Sequence, residues 1–221
     1  MKGIEVQLVD SMGGDLSISN SARVSFDKWK ETMDEKDAKL INYLGEHQHM
    51  TPFRHNCVQV RCVSPIFLAR QLMKHQAGLT WNEVSRRYVD DGIEMFYPEG
   101  WRARPDKSIK QGSGGGNVEW VDRRIGYMRT HAVYLKAINQ AVETYMQMIE
   151  AGVAPEMARM VLPQSMLTSW IWTGNLLAFA HIYNLRIKEN SQLEARVFAE
   201  KLGNIIKEQF PVGWEALTGD K

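Results

Sequence analysis

The order in which strand-like and helix-like segments follow one another constrains this chain most. Residues 3–9, GIEVQLV, alternate polar and apolar as a half-buried strand does, and the turn-rich SMGGD follows. Residues 57–63 read as a second strand, and EMFY at 94–97 as a short β-rich piece. Two helical segments lie early in the chain. One spans 34–47, with Leu40, Ile41 and Leu44 on a single face behind an acidic first turn. The other is IFLARQLMKHQ, with Ser64 as its cap, Pro65 at its first position and Gly78 as its stop. The last ninety or so residues are helical in pattern. Ile138, Val142, Tyr145 and Ile149 recur at core spacing over 130–150, Gly152 ends that segment, and another helix starts at Pro155. A final long helix opens with Ser191 and Glu194 at capping-box spacing and runs to about Gln209. Strands early, helices late and no regular β-α-β alternation argue for an α+β fold. The expectation is a single domain over 1–221, a mainly antiparallel sheet flanked by long helices, with a flexible surface loop at about 103–119. The Gly-rich QGSGGGN in that loop lacks the Lys-Ser/Thr ending of a phosphate-binding loop.

Charge narrows the partners. With 27 basic and 26 acidic residues the formal net charge is +1, so no global field is available to hold nucleic acid or an anionic membrane. An anionic ligand must be met locally. The two cysteines, Cys57 and Cys62, stand at an odd offset that puts them on opposite faces of a strand. Neither a disulfide framework nor a metal site is expected, and both thiols read as buried structural groups. No apolar run reaches the roughly 18–20 residues of a membrane span, and none at the N-terminus has signal-peptide length. A cytoplasmic protein with reduced thiols is expected.

Chemistry-bearing side chains concentrate in QLMKHQAGLTWNEVSRRYVD. Gln71, Lys74 and His75 fall within one helical turn, and the glycine-containing segment after them is expected to present Glu83, Ser85, Arg86 and Arg87 from a loop. An arginine fork holds phosphate oxygens in a bidentate manner, and a serine with neighbouring amides completes such a cradle. Arg159 and Arg186 supply two further cations. Taken singly, such arginines are ordinary solvated surface groups. In SMLTSWIWTGNLLAFAHIYNLR the apolar residues read as core, whereas Asn175, His181 and Asn184 interrupt them at near-helical offsets from Arg186 and read as lining a site.

The blocks MGGDLSISNSARVSF, HMTPFRH, SPIFLARQ, KHQ with WNEVSRRY, GVAPEMARMVLP and TGNLLAFAHIYNLR resemble, in order, those of the flavin-dependent thymidylate synthases, over about residues 8–200. The resemblance implies conversion of dUMP to dTMP, with 5,10-methylenetetrahydrofolate as carbon donor and FAD, reduced by NADPH, as hydride carrier. It also implies a homotetramer whose sites are built at subunit interfaces. By resemblance, Gln71, Lys74, Glu83, Ser85, Arg86, Arg87, Arg159 and Arg186 meet the nucleotide. Ser25, Thr51, Lys74, His75, Gln76, Glu83, Asn175 and His181 meet the flavin, and His49 stands near it as a second catalytic candidate beside Arg186. Arg186 is expected to hold the uracil edge and stabilise the electron-rich ring as C5 attacks carbon.

The family signature, Arg-His-Arg, then seven residues, then Ser, is changed here to Lys74-His75-Gln76, then eight residues, then Ser85. Arg54 and Leu177 also depart from the pattern, and Arg54 is expected to make up lost charge. A flavin-dependent NADPH oxidase or reductase without methyl transfer, and a non-catalytic nucleotide-binding relative, are the alternatives.

Overall fold

A computed structural model of the chain describes residues 1–107, 112–123 and 126–219. In chain order it forms β1 (Glu5–Met12), α1 (Asp15–Arg23), α2 (Glu35–Glu46), β2 (Cys57–Pro65), α3 (Ile66–Leu72), β3 (Leu79–Glu83), β4 (Trp120–Arg123) and β5 (Gly126–Arg129). There follow α4 (Thr130–Glu150), α5 (Pro155–Ala158), β6 (Leu167–Gly174), α6 (Leu176–Arg186), α7 (Leu193–Gln209) and α8 (Pro211–Thr218). The α+β class holds: the main sheet has four strands in the order β1-β2-β6-β3 and is mainly antiparallel. No helix among the described residues is long and apolar enough to cross a membrane.

The residues cluster into two compact units. One comprises Met1–Ile4, Val63–Gln71 and Glu83–Ser169, the other Glu5–Cys62, Leu72–Asn82 and Trp170–Lys221. In the second unit α6 packs on α7 and α8, α2 on α1 and α8, and α7 on β1. Its core is aromatic: Trp170 and Trp172 on β6, Phe179 on α6, Phe198 on α7 and Phe210 are all buried. Burial of alternate β6 residues, with period two, puts both tryptophans on one face. In the first unit, α4 contacts α5 and the Arg159–Val161 turn. The β4-β5 hairpin pairs Trp120 with Arg129. Residues 101–103 pair with 114–118 through backbone hydrogen bonds, and residues 108–111 of the expected 103–119 loop lie outside those described.

Several boundaries depart from the sequence reading. Helix α3 stops at Leu72, and Lys74 and His75 lie in a turn in which the His75 amide donates to the Leu72 carbonyl. Gly78 dictates the early stop. It adopts φ +74, and a Cβ there would stand 2.8 Å from Asn175 Nδ2, so the chain must leave the helix in time to bring a glycine to that contact. Gln71, Lys74 and His75 therefore do not share a helical turn. Ser64 and Pro65 close β2 instead of opening α3, and the Ser64 hydroxyl donates to the Pro65 carbonyl. Ser191 is not a cap: Gln192 precedes α7, and the Ser191 hydroxyl donates to the Leu185 carbonyl. The apolar block splits into strand and helix at Asn175, whose Oδ1 accepts from the Ala178 amide as the N-cap of α6. Cys62 is buried, its thiol pushed up by burial, whereas Cys57 is only half-buried.

One buried carboxylate organises the α1-α2 corner. Asp37, fully shielded from solvent, accepts from Arg23 Nη1, from Lys30 Nζ at 2.6 Å and from the Asp34 amide at 2.8 Å. Asp34 in turn caps α2 through the Lys36 and Asp37 amides. Burial pushes the Asp37 carboxyl up, but the bonds from Lys30, the Asp34 amide and Arg23 outweigh it and hold the group well below the usual carboxylate range. Because the folded-state value is depressed, its stabilisation is complete above the unfolded value and disappears as pH falls through the folded one. Asp37→Asn should cost about 3 kcal/mol at neutral pH, by analogy with removal of one partner of a buried pair. Urea unfolding should show the gap from wild type closing in strong acid; a gap that stays constant with pH would refute the assignment.

Candidate active site

Arg186 ends α6 and meets His75 from the Met73–Gly78 turn. Its Nε donates to His75 Nε2 at 3.2 Å, and its Nη2 lies 3.0 Å from the same atom. Both side chains are half-buried. Burial lowers the His75 pKa first, the Arg186 charge second and His181, five residues before Arg186 on α6, third. The imidazole is therefore neutral at physiological pH and accepts at Nε2, which places its proton on Nδ1. Burial also lowers the Arg186 pKa, though a guanidinium remains charged. An uncharged acceptor fixes the guanidinium without cancelling its charge.

The same turn holds Lys74 and Gln76, both exposed. Asn175 stands beside Gly78 and spends its Oδ1 on the α6 cap. His181 is exposed on α6, and Asn184 is structural: its Nδ2 donates to the Leu217 carbonyl and ties α6 to α8.

A second group lies elsewhere in the same unit. Ser25, His49 and Thr51 line a half-open cavity of about 810 Å³ together with Phe26 and Tyr43. The volume falls within the range of small-molecule and cofactor sites, about 300–1,000 Å³. Tyr43 stacks on His47 with centroids 4.1 Å apart, and His49 meets the Tyr43 ring edge-on at 6.1 Å. Flat aromatic walls with a few polar groups suit the ring system of a flavin, so these residues fit the cofactor. The Tyr43–His47 spacing of four residues is a readable helical stacking signal that residue-type reasoning passed over. Arg54 is exposed at the end of the Thr51–Arg54 turn. Leu177 is buried.

The remaining candidates belong to the first unit. Glu83 ends β3 and accepts from the Thr168 hydroxyl at 2.7 Å, a partner 85 positions away that no local pattern signals. Ser85 Oγ accepts from the Arg87 amide at 3.3 Å and from Arg87 Nε at 3.2 Å, while the Arg87 guanidinium lies 5.0 Å over the Tyr88 ring. Arg86 donates to the carbonyls of Asp91 and Gly92. Arg159 is exposed, and its Nε donates to the Glu156 carbonyl at 3.3 Å. Gln71 Oε1 is buried without a hydrogen-bond partner among the described residues.

A depressed His75 pKa has a consequence for stability. The neutral-acceptor bond is fully present above the ordinary histidine value and is lost as pH falls through the folded one. In His75→Gln, an amide oxygen replaces Nε2 and cannot be protonated in this range. The wild-type melting temperature should fall on going from pH 7 to 5 by more than that of the variant; parallel pH profiles would contradict a neutral His75 holding Arg186.

The family model described as thymidylate synthase complementing protein matches residues 7–212. A flavin-dependent thymidylate synthase of Thermus thermophilus is 36% identical over 211 residues, covering 96% of this chain and 74% of the relative. One from Kosmotoga olearia is 37% identical over 220 residues, covering 97% and 92%. The crystal structure of the UMP/dUMP methylase PolB from Streptomyces cacaoi, bound with 5-Br dUMP, superposes with a TM-score of 0.79 at 30% identity, covering 97% of this chain and 94% of that one. The chain therefore belongs to the thymidylate synthase complementing protein family, and it is an enzyme of the flavin-dependent thymidylate synthase kind.

Proposed function

We propose that this enzyme methylates dUMP to dTMP, with 5,10-methylenetetrahydrofolate as carbon donor and FAD reduced by NADPH as hydride source. The observation that carries the reading is the Arg186–His75 pair: a guanidinium fixed by an uncharged acceptor keeps its whole charge for the pyrimidine. Facing the N3–O4 edge, Arg186 stabilises negative charge as it builds on the ring, which raises the nucleophilicity of C5 toward the methylene carbon. His75, with its proton on Nδ1, fixes the orientation of that cation. The PolB structure, solved with 5-Br dUMP, supports a pyrimidine nucleotide as ligand.

Ser85, Arg87 and Arg159 are proposed to hold the phosphate, each being near or at the surface, with the two arginines met by a hydroxyl and a backbone carbonyl. Gln71 Oε1, buried and unpartnered, is proposed as an acceptor for the nucleotide. Ser25, Thr51 and His49 are proposed to hold the flavin, which when bound supplies hydride to the methylene group carried by the pyrimidine. The enzyme is proposed to act in the cytoplasm as a homotetramer whose sites draw residues from more than one subunit.

The test is turnover of purified protein with FAD, NADPH, methylenetetrahydrofolate and dUMP tritiated at C5. Tritium release with dTMP formed is the expected result. NADPH oxidation without release, in protein that has bound FAD, would instead identify an oxidase. Arg186→Ala should lower kcat/KM by about a hundredfold or more, the scale of losing one charge-stabilising donor, while FAD still binds. An Arg186→Ala enzyme of near wild-type activity would remove Arg186 from the mechanism.

A further inference from the structure

Resting on the reading above, we propose that Arg86 is a positioning residue that fastens the Val84–Gly92 loop, so that Ser85 and Arg87 are presented to the nucleotide phosphate. Sequence reasoning placed Arg86 with its neighbours as a phosphate contact, and its geometry points elsewhere. The guanidinium is turned back onto its own loop, where Nη1 donates to the Asp91 carbonyl and Nη2 to the Gly92 carbonyl at 3.1 Å. Its Nε is buried and has no partner among the described residues, and both terminal nitrogens are engaged by the loop's own carbonyls.

The rest of the loop is tied in a complementary manner. At its start the Val84 amide donates to the Ser169 carbonyl at 2.9 Å. In the middle the Ser85 carbonyl accepts from the Tyr88 and Val89 amides at 3.0 and 3.2 Å, closing a turn. Near its end the Asp90 carbonyl accepts from the hydroxyl of Tyr145, a buried residue of α4, at 3.2 Å. Arg86 joins the turn to the returning end of the loop, five and six residues on. Because Ser85 immediately precedes Arg86 and Arg87 follows it, the fork that holds Asp91 and Gly92 also sets where those two side chains point. Two carbonyls a residue apart match the planar two-nitrogen face of a guanidinium and not the single point of an ammonium group.

This chemistry distinguishes a fastener from a ligand. Lysine keeps the charge that a phosphate contact needs, but its single nitrogen does not reproduce the fork's two separate bonds to the Asp91 and Gly92 carbonyls. The experiment uses the full-length flavoprotein in four forms: wild type, Arg86→Ala, Arg86→Lys and Tyr145→Phe. Amide hydrogen exchange is read at Tyr88 and Val89, and KM and kcat are read for dUMP. Both Arg86 variants should exchange faster at those two amides and raise the KM for dUMP roughly ten- to a hundredfold, the range for loss of charge-assisted hydrogen bonds. Their kcat should stay within about threefold of wild type, since the aligned pyrimidine is untouched. Tyr145→Phe, which removes no charge, should move both quantities in the same direction by a smaller factor. Wild-type KM in Arg86→Lys, or unchanged exchange in Arg86→Ala, would overturn the proposal and make Arg86 a direct phosphate ligand or a bystander. Wild-type protein that binds FAD without turning over dUMP would sink the synthase reading, while the exchange comparison would still decide whether Arg86 fastens the loop.

Discussion

The approach of the Met73–Gly78 turn to the start of α6 is the constraint on which the Arg186–His75 pair depends. Asn175 caps α6, Asn56 Oδ1 accepts from the Leu176 amide at 2.7 Å, and Gly78 lies against both Asn175 and Ala178. From that anchor the turn runs along the helix until His75 meets Arg186. A side chain at position 78 would force the turn outward at its tightest point, where the nearest atom belongs to the capping side chain itself. Helix placement is fixed from below as well: Trp170 and Trp172 on the preceding strand are buried against Phe198 and Phe179, so β6 cannot shift without opening the aromatic core.

The cations divide into two electrostatic classes. Arg23 and Lys30 converge on the buried carboxylate of Asp37, where opposite charges cancel and the result is structural. Arg186, Arg86, Arg87 and Arg159 are met instead by an imidazole nitrogen, backbone carbonyls, a hydroxyl and a backbone carbonyl respectively. Neutral acceptors orient a guanidinium at little electrostatic cost and leave its field intact. In a chain whose net charge is only +1, this local arrangement is how an anion can be attracted without a basic surface. A carboxylate in the place of His75 would hold Arg186 more tightly and cancel much of its charge.

Much of the architecture was legible because it follows from periodicity. The helices at 35–46 and 130–150 match the apolar spacing closely, and the α+β class follows from segment order. Misreadings fall where local sequence is ambiguous between states. WIW is apolar throughout, and only the pleat reveals that alternate residues are buried; α3 is shorter than its periodic pattern because a contact with Asn175, about a hundred residues away, sets the turn. Residue identities at the candidate site were legible from side-chain chemistry and family resemblance, whereas the pairings were not. His75 and Arg186 are 111 positions apart, and the acceptors of Arg86 are backbone carbonyls, which carry no sequence signature at all.

The departures from the family signature become intelligible in the same physical terms. Of Lys74-His75-Gln76, the two altered positions are exposed, and the retained histidine is the half-buried one in contact with Arg186. Exposed side chains are held by solvent and by whatever ligand arrives, so replacing a guanidinium there costs ligand contacts and no packing. His75 has no such freedom: a residue unable to accept at Nε2 would leave a half-buried guanidinium without its partner. Leu177 obeys the opposite rule. Buried on α6, it adds to the aromatic and aliphatic core, and an arginine at that position would need a rearranged helix or a buried acceptor to satisfy it. Within Lys74-His75-Gln76 the sequence has therefore varied where the fold is indifferent and held the one side chain that meets Arg186.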